Sequence, residues 1–301
     1  MNQINSTSVV AVVVTYQPNL SVLGQLLDAL TPQVESVVIV DNGSQLDSSD
    51  WRKQSETRPF ALLPLGENRG IASAQNLGIQ WARDYVARFV LLIDQDSIPA
   101  PDMVANLRSA ILEQVAPSSA GPCYIDSRQE NPPPFIQVRG LRLKRIAWTV
   151  DDAIVPVDYL ISSGCLIPMT VLNKVGGMRE DLFIDYVDIE WGLRARHYGL
   201  QSYGVFKAKM QHSLGDRPSA FFGRKIPVHS PLRHYYHFRN AVLLYREAWI
   251  PLNWKLVDGW RLLLKYGFYT LFAKPRLKHF RMMSHGILHG LLGKAGKFGM
   301  N

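Results

Sequence analysis

The stretch Phe89-Val-Leu-Leu-Ile-Asp-Gln-Asp96 is a short apolar run, typical of a buried strand, that ends at two carboxylates. Residues 9–14 and 37–40 are two similar runs, rich in β-branched side chains and typical of buried strands. Residues 20–30 and 71–85, which lie between the runs, have the apolar spacing of helices. This alternation predicts an α/β fold with a mostly parallel central sheet that helices cover on both faces.

Polar side chains follow each of these runs directly. They are Thr15, Tyr16, Asp41, Asp94, Gln95 and Asp96. Ligands of open parallel sheets bind in the crevice at the carboxyl ends of the strands. We therefore expect these side chains to face one crevice.

Asp94 and Asp96, one residue apart at a strand end, have the chemistry of a cation site. Mg²⁺ and Mn²⁺ take oxygen ligands and commonly bridge a protein carboxylate to substrate phosphates. The alternative is that Asp96 and Ser97 only shape a turn or cap the helix that begins near Pro101. The tripeptide alone leaves both interpretations open.

The overall composition is that of a globular protein, with 47% hydrophobic and 19% charged residues. Cys123 and Cys165 are too few for a disulfide framework or a cysteine metal knuckle. The residues before Val9 lack the features of a secretory signal, and no apolar run reaches the roughly 18 residues of a membrane span. These features predict a cytoplasmic protein.

The basic residues are concentrated in the last part of the chain. Residues 221–301 carry 14 Lys and Arg against 2 Asp and Glu, and from Ser230 onward the pattern is that of long helices rich in aromatics. We expect an α/β domain over residues 1–229 and a basic, amphipathic helical appendage over 230–301. Such helices commonly bind anionic membrane surfaces. A packed subdomain or an oligomer contact is the alternative, and nucleic-acid binding is not expected because no motif for it accompanies the charge.

Several segments together resemble the family 2 glycosyltransferases with a GT-A fold. They are residues 9–16, Val37-Val-Ile-Val-Asp-Asn-Gly-Ser44, Glu67-Asn-Arg-Gly-Ile-Ala-Ser-Ala-Gln-Asn76 and Leu91-Leu-Ile-Asp-Gln-Asp96, in the family's order and spacing. The resemblance covers roughly residues 9–247. Glu67-Asn-Arg-Gly70, Leu92-Ile-Asp-Gln-Asp-Ser97 and Phe183-Ile-Asp-Tyr-Val-Asp-Ile-Glu-Trp191 look most like bacterial rhamnosyltransferases of O-antigen and related surface polysaccharides.

The resemblance implies roles for particular residues. Contacts to the donor nucleotide sugar are implied for Thr15, Tyr16, Asp41, Asn68, Arg69, Gly70, Asn76, Asp94, Gln95, Tyr235 and Arg239. Ligation of Mg²⁺ or Mn²⁺ is implied for Asp94, Asp96 and His212, and acceptor contacts for Ser163, Gly164, Glu190 and Trp191. Arg239 would stabilise the departing diphosphate. Turn formation by Asp41, helix capping by Asn68 and core packing by Tyr235 are the structural alternatives.

Inverting transfer needs a base that takes the proton of the acceptor hydroxyl. Aligned with the family through Arg194, Asp188 occupies the position of that base, whereas Val187 replaces the family's acidic neighbour. Asp185 is the competing candidate. Favourable interaction of Asp188 and Glu190 with the dipole of their helix is an alternative that does not exclude catalysis.

The resemblance implies transfer of L-rhamnose from dTDP-β-L-rhamnose to a hydroxyl of a lipid-linked saccharide acceptor, at the inner face of the cytoplasmic membrane. A transferase of the same fold with another UDP-, GDP- or dTDP-sugar is one alternative. A nucleotidyltransferase would need a Gly-rich and basic signature near the N-terminus, which Val12-Val-Val-Thr-Tyr-Gln-Pro18 does not offer. A non-catalytic polysaccharide-binding or assembly protein is a third reading.

Overall fold

The computed structural model describes residues 8–56, 58–125, 135–147, 150, 153–212, 218–221, 224–227 and 229–299, with only the backbone described within 212–228. The strands are β1 (Val9–Thr15), β2 (Ser36–Asp41), β3 (Ala61–Pro64), β4 (Phe89–Asp94), β5 (Ser97–Pro99), β6 (Pro117–Ile125), β7 (Phe135–Arg139), β8 (Arg142–Ile146), β9 (Ile154–Val157), β10 (Cys165–Pro168), β11 (Gln201–His212), β12 (Pro218–Phe221) and β13 (Arg224–Pro227). The helices are α1 (Leu20–Leu30), α2 (Ser48–Ser55), α3 (Ile71–Asp84), α4 (Met103–Glu113), α5 (Met169–Val175), α6 (Val187–His197), α7 (Pro231–Arg246), α8 (Leu252–Phe272) and α9 (Arg276–Leu291).

The central sheet has the strand order β3-β2-β1-β4-β10-β6-β11-β5, and β9 pairs with β11. The first four strands are parallel, as the sequence predicts. Beyond them the sheet is mixed, because β10 runs antiparallel to both β4 and β6 while β6 and β11 are parallel. The expected α/β fold is confirmed, with its parallel part concentrated where β1, β2 and β4 end together.

Strand β1 shows how the sheet is covered on both faces. Val10, Val12 and Val14 belong to one buried cluster, and Val9, Ala11 and Val13 belong to another. Alternate residues of a strand point to opposite faces, so helices must cover each face. Helix α3 packs on one side, and α1 and α4 contribute Leu23, Leu27 and Leu107 to the other.

One predicted strand is shorter than expected. The sequence pattern predicts a strand over residues 160–168, whereas β10 comprises only Cys165–Pro168. Gly164 has a φ of +80°, and a side chain there would collide with Pro122 at 2.5 Å. This left-handed conformation ends the strand and turns residues 161–163 towards the carboxyl end of the sheet.

The C-terminal part forms the three helices α7, α8 and α9. Helix α7 is largely buried and packs against α9, whereas α8 and α9 keep large apolar side chains exposed. None of the helices in the described part of the chain is long and apolar enough to cross a membrane. The division into domains at residues 229 and 230 stays a prediction.

Candidate active site

Two adjoining cavities open at the carboxyl ends of the parallel strands. The nucleotide cavity, as we name it, measures about 250 Å³ and is lined by Tyr16, Asn42, Asn68, Gly70, Asp94, Gln95, Asp96 and Phe183, among others. The base cavity measures about 350 Å³ and is lined by Gln75, Asp94, Ser162, Ser163, Asp185, Asp188, Arg233 and His237, among others. Ile71, Asp94 and Ile184 line both cavities. A ligand that spans them would pass Asp94.

Gln95 joins the ends of β1 and β4. Its Oε1 accepts a hydrogen bond from the Tyr16 amide at 2.8 Å, and its Nε2 donates to the Tyr16 carbonyl at 3.2 Å. The Asp94 amide donates to Ser163 Oγ at 3.1 Å, and Ser163 Oγ lies 2.7 Å from Ser97 Oγ. Thus the backbone that carries Asp94 and Asp96 is held from both sides, which fixes where their carboxylates enter the nucleotide cavity.

Asp41 and Thr15 are held within the protein. Thr15 is fully buried and donates to Asp41 Oδ1 at 3.1 Å, and the Ser44 amide and hydroxyl also donate to this carboxylate. Neither residue is among those that line the nucleotide cavity. The structure therefore shows Asp41 in a turn-forming role, and its contact with the nucleotide stays a prediction.

The segment around Gly70 shapes the far wall of the nucleotide cavity. Asn68 Oδ1 accepts from the Gly70 amide at 3.0 Å, and Asn42 Oδ1 accepts from the Arg69 amide at 2.8 Å. Gly70 has a φ of +89°, and a Cβ atom there would lie 2.5 Å from the Phe183 carbonyl. Asn68 and Gly70 line the cavity as expected, whereas the exposed Arg69 side chain lies 3.6 Å from Glu67 and does not line it.

Asp188 lies in the base cavity, in the first turn of α6. Burial raises the pKa of Asp188 to about 6, and the nearby negative charges of Asp185 and Asp94 also raise it, against a hydrogen bond from the Ile189 amide. A carboxyl group with this pKa is ionised at neutral pH and is basic enough to accept a proton during a reaction. This is the property that a general base requires.

The turn before α6 is built from residues in left-handed conformations, with φ of +66° at Phe183, +62° at Asp185 and +64° at Tyr186. Such conformations are costly for residues with side chains and persist only where the surroundings hold them. Asn240 does so by donating to the carbonyls of Leu182, Ile184 and Asp185 at 2.7–2.9 Å. The turn presents Asp185 and Asp188 to the same cavity.

Arg239 and Tyr235 occupy positions that differ from the expected ones. Arg239 is 1% exposed and donates to the carbonyls of Asp181, Leu182 and Gly296. Tyr235 is 2% exposed, and its hydroxyl lies 2.7 Å from His289 Nδ1. Neither lines the two cavities; both hold the turn and pack α7 on α9, and their contacts with the donor stay a prediction.

Glu190, Trp191 and Asn76 are also part of the framework instead of the cavity wall. Glu190 is 3% exposed and accepts two hydrogen bonds from Arg194 at 2.9 Å. Trp191 Nε1 donates to the Gly176 carbonyl, and Asn76 is bonded to both backbone groups of Met178. Their hydrogen-bonding groups are used within the protein, and their contacts with donor or acceptor stay predictions. Of the acceptor candidates, Ser163 lines the base cavity and Gly164 shapes the turn beside it.

Arg233 and His237, which are not among the residues predicted from the sequence, also line the base cavity. Arg233 donates to both oxygens of Asp185 at 3.2–3.3 Å, and His237 Nε2 lies 2.9 Å from Lys265 Nζ. The two residues are four positions apart on α7 and therefore share a face of that helix. Tyr235 and Arg239 lie half a turn away and point to the opposite side of α7.

The donor set at the end of β4 fits a hard divalent cation. Asp94 and Asp96 both line the nucleotide cavity and offer carboxylate oxygens, the ligands that Mg²⁺ and Mn²⁺ prefer when substrate phosphates complete the shell. No group of three His, Cys, Asp or Glu that could hold a metal ion is found among the described residues. The side chain of His212, the third expected ligand, lies outside them, although its backbone pairs with Ser97 at the end of β11.

Comparison of the structure with solved structures shows the same fold. A mannosyltransferase from Pyrobaculum calidifontis, PcManGT, in complex with GDP-Man and Mn²⁺, superposes with a TM-score of 0.59 at 17% identity, covering 97% of this chain and 89% of that one. Residues 1–349 of TarS from S. aureus, in complex with UDP-GlcNAc, superpose with a TM-score of 0.58 at 13% identity, covering 96% and 82%. These likenesses confirm the expected GT-A fold.

The sequence comparisons identify the family. Residues 10–147 match Glycosyl transferase family 2. The chain is 37% identical over 249 residues to the dTDP-rhamnosyl transferase RfbF of Shigella flexneri, covering 82% of this chain and 83% of the relative. It is 22% identical over 274 residues to the low-salt glycan biosynthesis hexosyltransferase Agl10 of Haloferax volcanii, covering 88% and 85%. The chain therefore belongs to the family 2 glycosyltransferases.

Proposed function

We propose that this glycosyltransferase moves L-rhamnose from dTDP-β-L-rhamnose to a hydroxyl group of a saccharide acceptor, with inversion, in O-antigen or other surface polysaccharide synthesis. The observation that carries the mechanism is the position of Asp188, a partly buried carboxyl group with a raised pKa in a cavity that adjoins the nucleotide cavity at Asp94. The identity to RfbF supports the choice of donor.

The two cavities suggest a single displacement. The nucleotide cavity would hold the donor, with Tyr16, Asn68, Gly70 and Gln95 against the nucleotide, and the acceptor hydroxyl would enter the base cavity. Asp188 accepts the hydroxyl proton while the acceptor oxygen forms its bond to the anomeric carbon. The bond from that carbon to the diphosphate oxygen breaks, and its electron pair leaves with dTDP. Attack opposite the leaving group turns a β donor into an α product.

We propose that Asp94 and Asp96 hold Mg²⁺ or Mn²⁺ against the donor diphosphate, with His212 as a further ligand. When bound, the ion neutralises charge on the leaving diphosphate. The support is the pair of carboxylates in the nucleotide cavity, together with the Mn²⁺ present in the PcManGT structure.

The acceptor is proposed to be lipid-linked, and the protein to act at the inner face of the cytoplasmic membrane. The support is the surface of α8 and α9, where exposed apolar side chains accompany basic ones. The apolar ones include Leu256, Trp260, Leu263, Leu271, Phe272, Leu277 and Phe280. Cosedimentation with anionic and with neutral phospholipid vesicles tests this part: binding to anionic vesicles alone supports it, and binding to neither contradicts it.

The donor proposal is tested by calorimetric titration with a panel of nucleotide sugars, each with and without Mg²⁺ or Mn²⁺. Selective, metal-dependent binding of dTDP-rhamnose is the expected result. Preference for a UDP- or GDP-sugar would mean that the donor is not dTDP-rhamnose, whereas the fold and the role of Asp188 as base would stand. Absence of binding to every member of the panel would contradict the proposed activity and favour a non-catalytic role in polysaccharide assembly.

A further inference from the structure

A third and larger cavity of about 700 Å³, which we name the basic cavity, lies beside the base cavity. The two share Asp185 and His237 as lining residues. A ligand in the basic cavity would therefore lie next to a ligand in the base cavity. The volume is within the range of about 300–1,000 Å³ that is typical of small-molecule sites.

The described lining of this cavity is strongly basic. It includes Arg145 from β8, Arg261 and Lys265 from α8, and the imidazoles of His229, His234 and His237. Asp185 is the one acidic side chain in the described lining, and it already accepts hydrogen bonds from Arg233. The described lining therefore has an excess of positive charge, which favours an anionic ligand.

The buried part of the cavity wall contains an imidazole with unused hydrogen-bonding capacity. His234 is 2% exposed, its Nδ1 lies 2.9 Å from His279 Nδ1, and its Nε2 finds no hydrogen-bond partner among the described residues. Leaving a buried polar atom without a partner is costly unless a ligand or water satisfies it. Burial, together with the neighbouring positive charges, lowers the pKa of His237 and of Lys265. A bound anion would stabilise the charged forms of His237 and Lys265 and so oppose this lowering of their pKa values.

Helix α8 contributes apolar as well as basic side chains to the basic cavity. Arg261, Leu264, Lys265, Phe268 and Tyr269 line the cavity with the spacing of a single helical face. Leu264 is 56% exposed and connects this face to the exposed side chains of Trp260, Leu263, Leu271 and Phe272. A ligand with an anionic group in the cavity could thus continue as a hydrocarbon chain over this surface.

We infer that the basic cavity binds the diphosphate group of a lipid-linked acceptor, whose first sugar reaches the base cavity past Asp185 and His237 and whose hydrocarbon chain leaves over α8. This inference rests on the proposed function, since it takes the acceptor to be a saccharide joined to a lipid through a diphosphate. It assigns Arg145, Arg261 and Lys265 to acceptor binding, a role separate from donor binding and from catalysis.

The probe is farnesyl diphosphate, titrated by calorimetry into the full-length protein in EDTA, so that no divalent ion can hold the diphosphate at Asp94 and Asp96. Saturable binding is expected, with an affinity that saturating dTDP does not change, because dTDP would occupy the nucleotide cavity. Displacement by dTDP would mean that the probe enters the donor site, and equal binding of farnesol would mean that only the apolar chain is recognised. Either result, or no binding, would overturn the inference.

The three assigned residues are tested with the variants Arg261→Gln, Lys265→Gln and Arg145→Gln. The first two changes lie in α8 and the third in β8. Each is expected to weaken farnesyl diphosphate binding by about tenfold or more, since charge-assisted hydrogen bonds to phosphate contribute most at partly buried sites. Lys278→Gln is the matched control, because it removes one exposed charge of the same basic tail outside the cavity. An equal loss in this control would show that the overall charge attracts the probe and would overturn the assignment.

Donor titration separates failure of this inference from failure of the proposed function. The three variants are expected to bind dTDP-rhamnose in Mg²⁺ as the wild type does, which also reports that they are folded. If the wild type binds this donor but the cavity variants leave farnesyl diphosphate binding unchanged, the inference fails while the proposed function stands. If no nucleotide sugar binds, the proposed function itself fails.

Discussion

Replacing Asp188 by Asn is expected to make the protein more stable while it removes turnover. The pKa of Asp188 is about 6 in the folded protein against 3.8 for an unperturbed aspartate. The folded-state pKa is the higher one, so the stability that this carboxyl contributes is present below pH 3.8 and is lost as the pH rises through about 6. Two pKa units correspond to at most about 3 kcal/mol of unfolding free energy.

The neutral Asn side chain loses no stability as the pH rises, and its Oδ1 can still accept a hydrogen bond from the Ile189 amide. The Asp188→Asn variant should therefore exceed the wild type by up to about 3 kcal/mol at pH 8 and by roughly half of that at pH 5. Urea unfolding followed by tryptophan fluorescence, without metal or nucleotide, measures both values. A variant that is less stable than the wild type at pH 8, or a difference that does not grow with pH, would show that burial of the Asp188 carboxylate does not destabilise the protein.

Asp28→Asn is the matched control for this series. Asp28 is an exposed carboxylate whose pKa is lowered by the hydrogen bond from Arg58 Nε at 2.6 Å, so it is stabilising above the unfolded-state pKa and less so in acid. Its replacement by Asn should therefore reduce stability slightly at pH 8, with the opposite sign to Asp188→Asn. The same change in both variants would indicate a general effect of net charge.

Four further results are expected. Asp96→Asn should weaken dTDP-rhamnose binding in Mg²⁺ by roughly tenfold or more, with binding in EDTA unchanged, as calorimetry would show; equal loss in both conditions would contradict metal ligation. Asn240→Ala should cost about 2–4 kcal/mol of unfolding free energy and lower kcat, because three carbonyls of the turn before α6 each lose a hydrogen bond from the Asn240 amide; full activity would show that the turn keeps its conformation without Asn240. Gly70→Ala should cost about 1–3 kcal/mol and weaken donor binding, since its Cβ would collide with the Phe183 carbonyl. Arg239→Lys should reduce stability in urea and leave donor affinity unchanged, whereas weaker donor binding in a stable variant would restore the diphosphate contact.

Much of the site could be predicted because the sequence pattern shows where the strands end. The apolar runs before Asp41 and Asp94 predict where β2 and β4 end, and parallel strands bring those ends to one edge of a sheet. Asp94, Gln95, Tyr16 and Asp188 accordingly line the two cavities. The direction of a side chain at a strand end is harder to predict, and so Thr15 and Asp41 were expected in the cavity although they bond to each other.

Other parts depended on long-range contacts that a single sequence does not show. Strand β6 lies between β10 and β11, yet its apolar pattern is interrupted by Ser118 and Ser119. These serines are buried because both hydroxyls bond to Ser202 on β11, at 2.8 and 3.0 Å. Similarly, the sequence does not show that Glu190, predicted to contact the acceptor, is paired with Arg194. In each case the partner of a polar side chain, and not its type, decides its role.

The role of Asp188 as the base for transfer of rhamnose from a dTDP donor is the proposal on which the mechanism depends. It is tested most directly by the rate of dTDP release from dTDP-rhamnose in Mg²⁺, with a lipid-linked saccharide extract as acceptor, for the wild type, Asp188→Asn and Asp185→Asn. We expect acceptor-dependent release by the wild type, a loss of roughly a hundredfold or more in Asp188→Asn at unchanged donor affinity, and a smaller loss in Asp185→Asn. Turnover by Asp188→Asn within a few-fold of the wild type would contradict it.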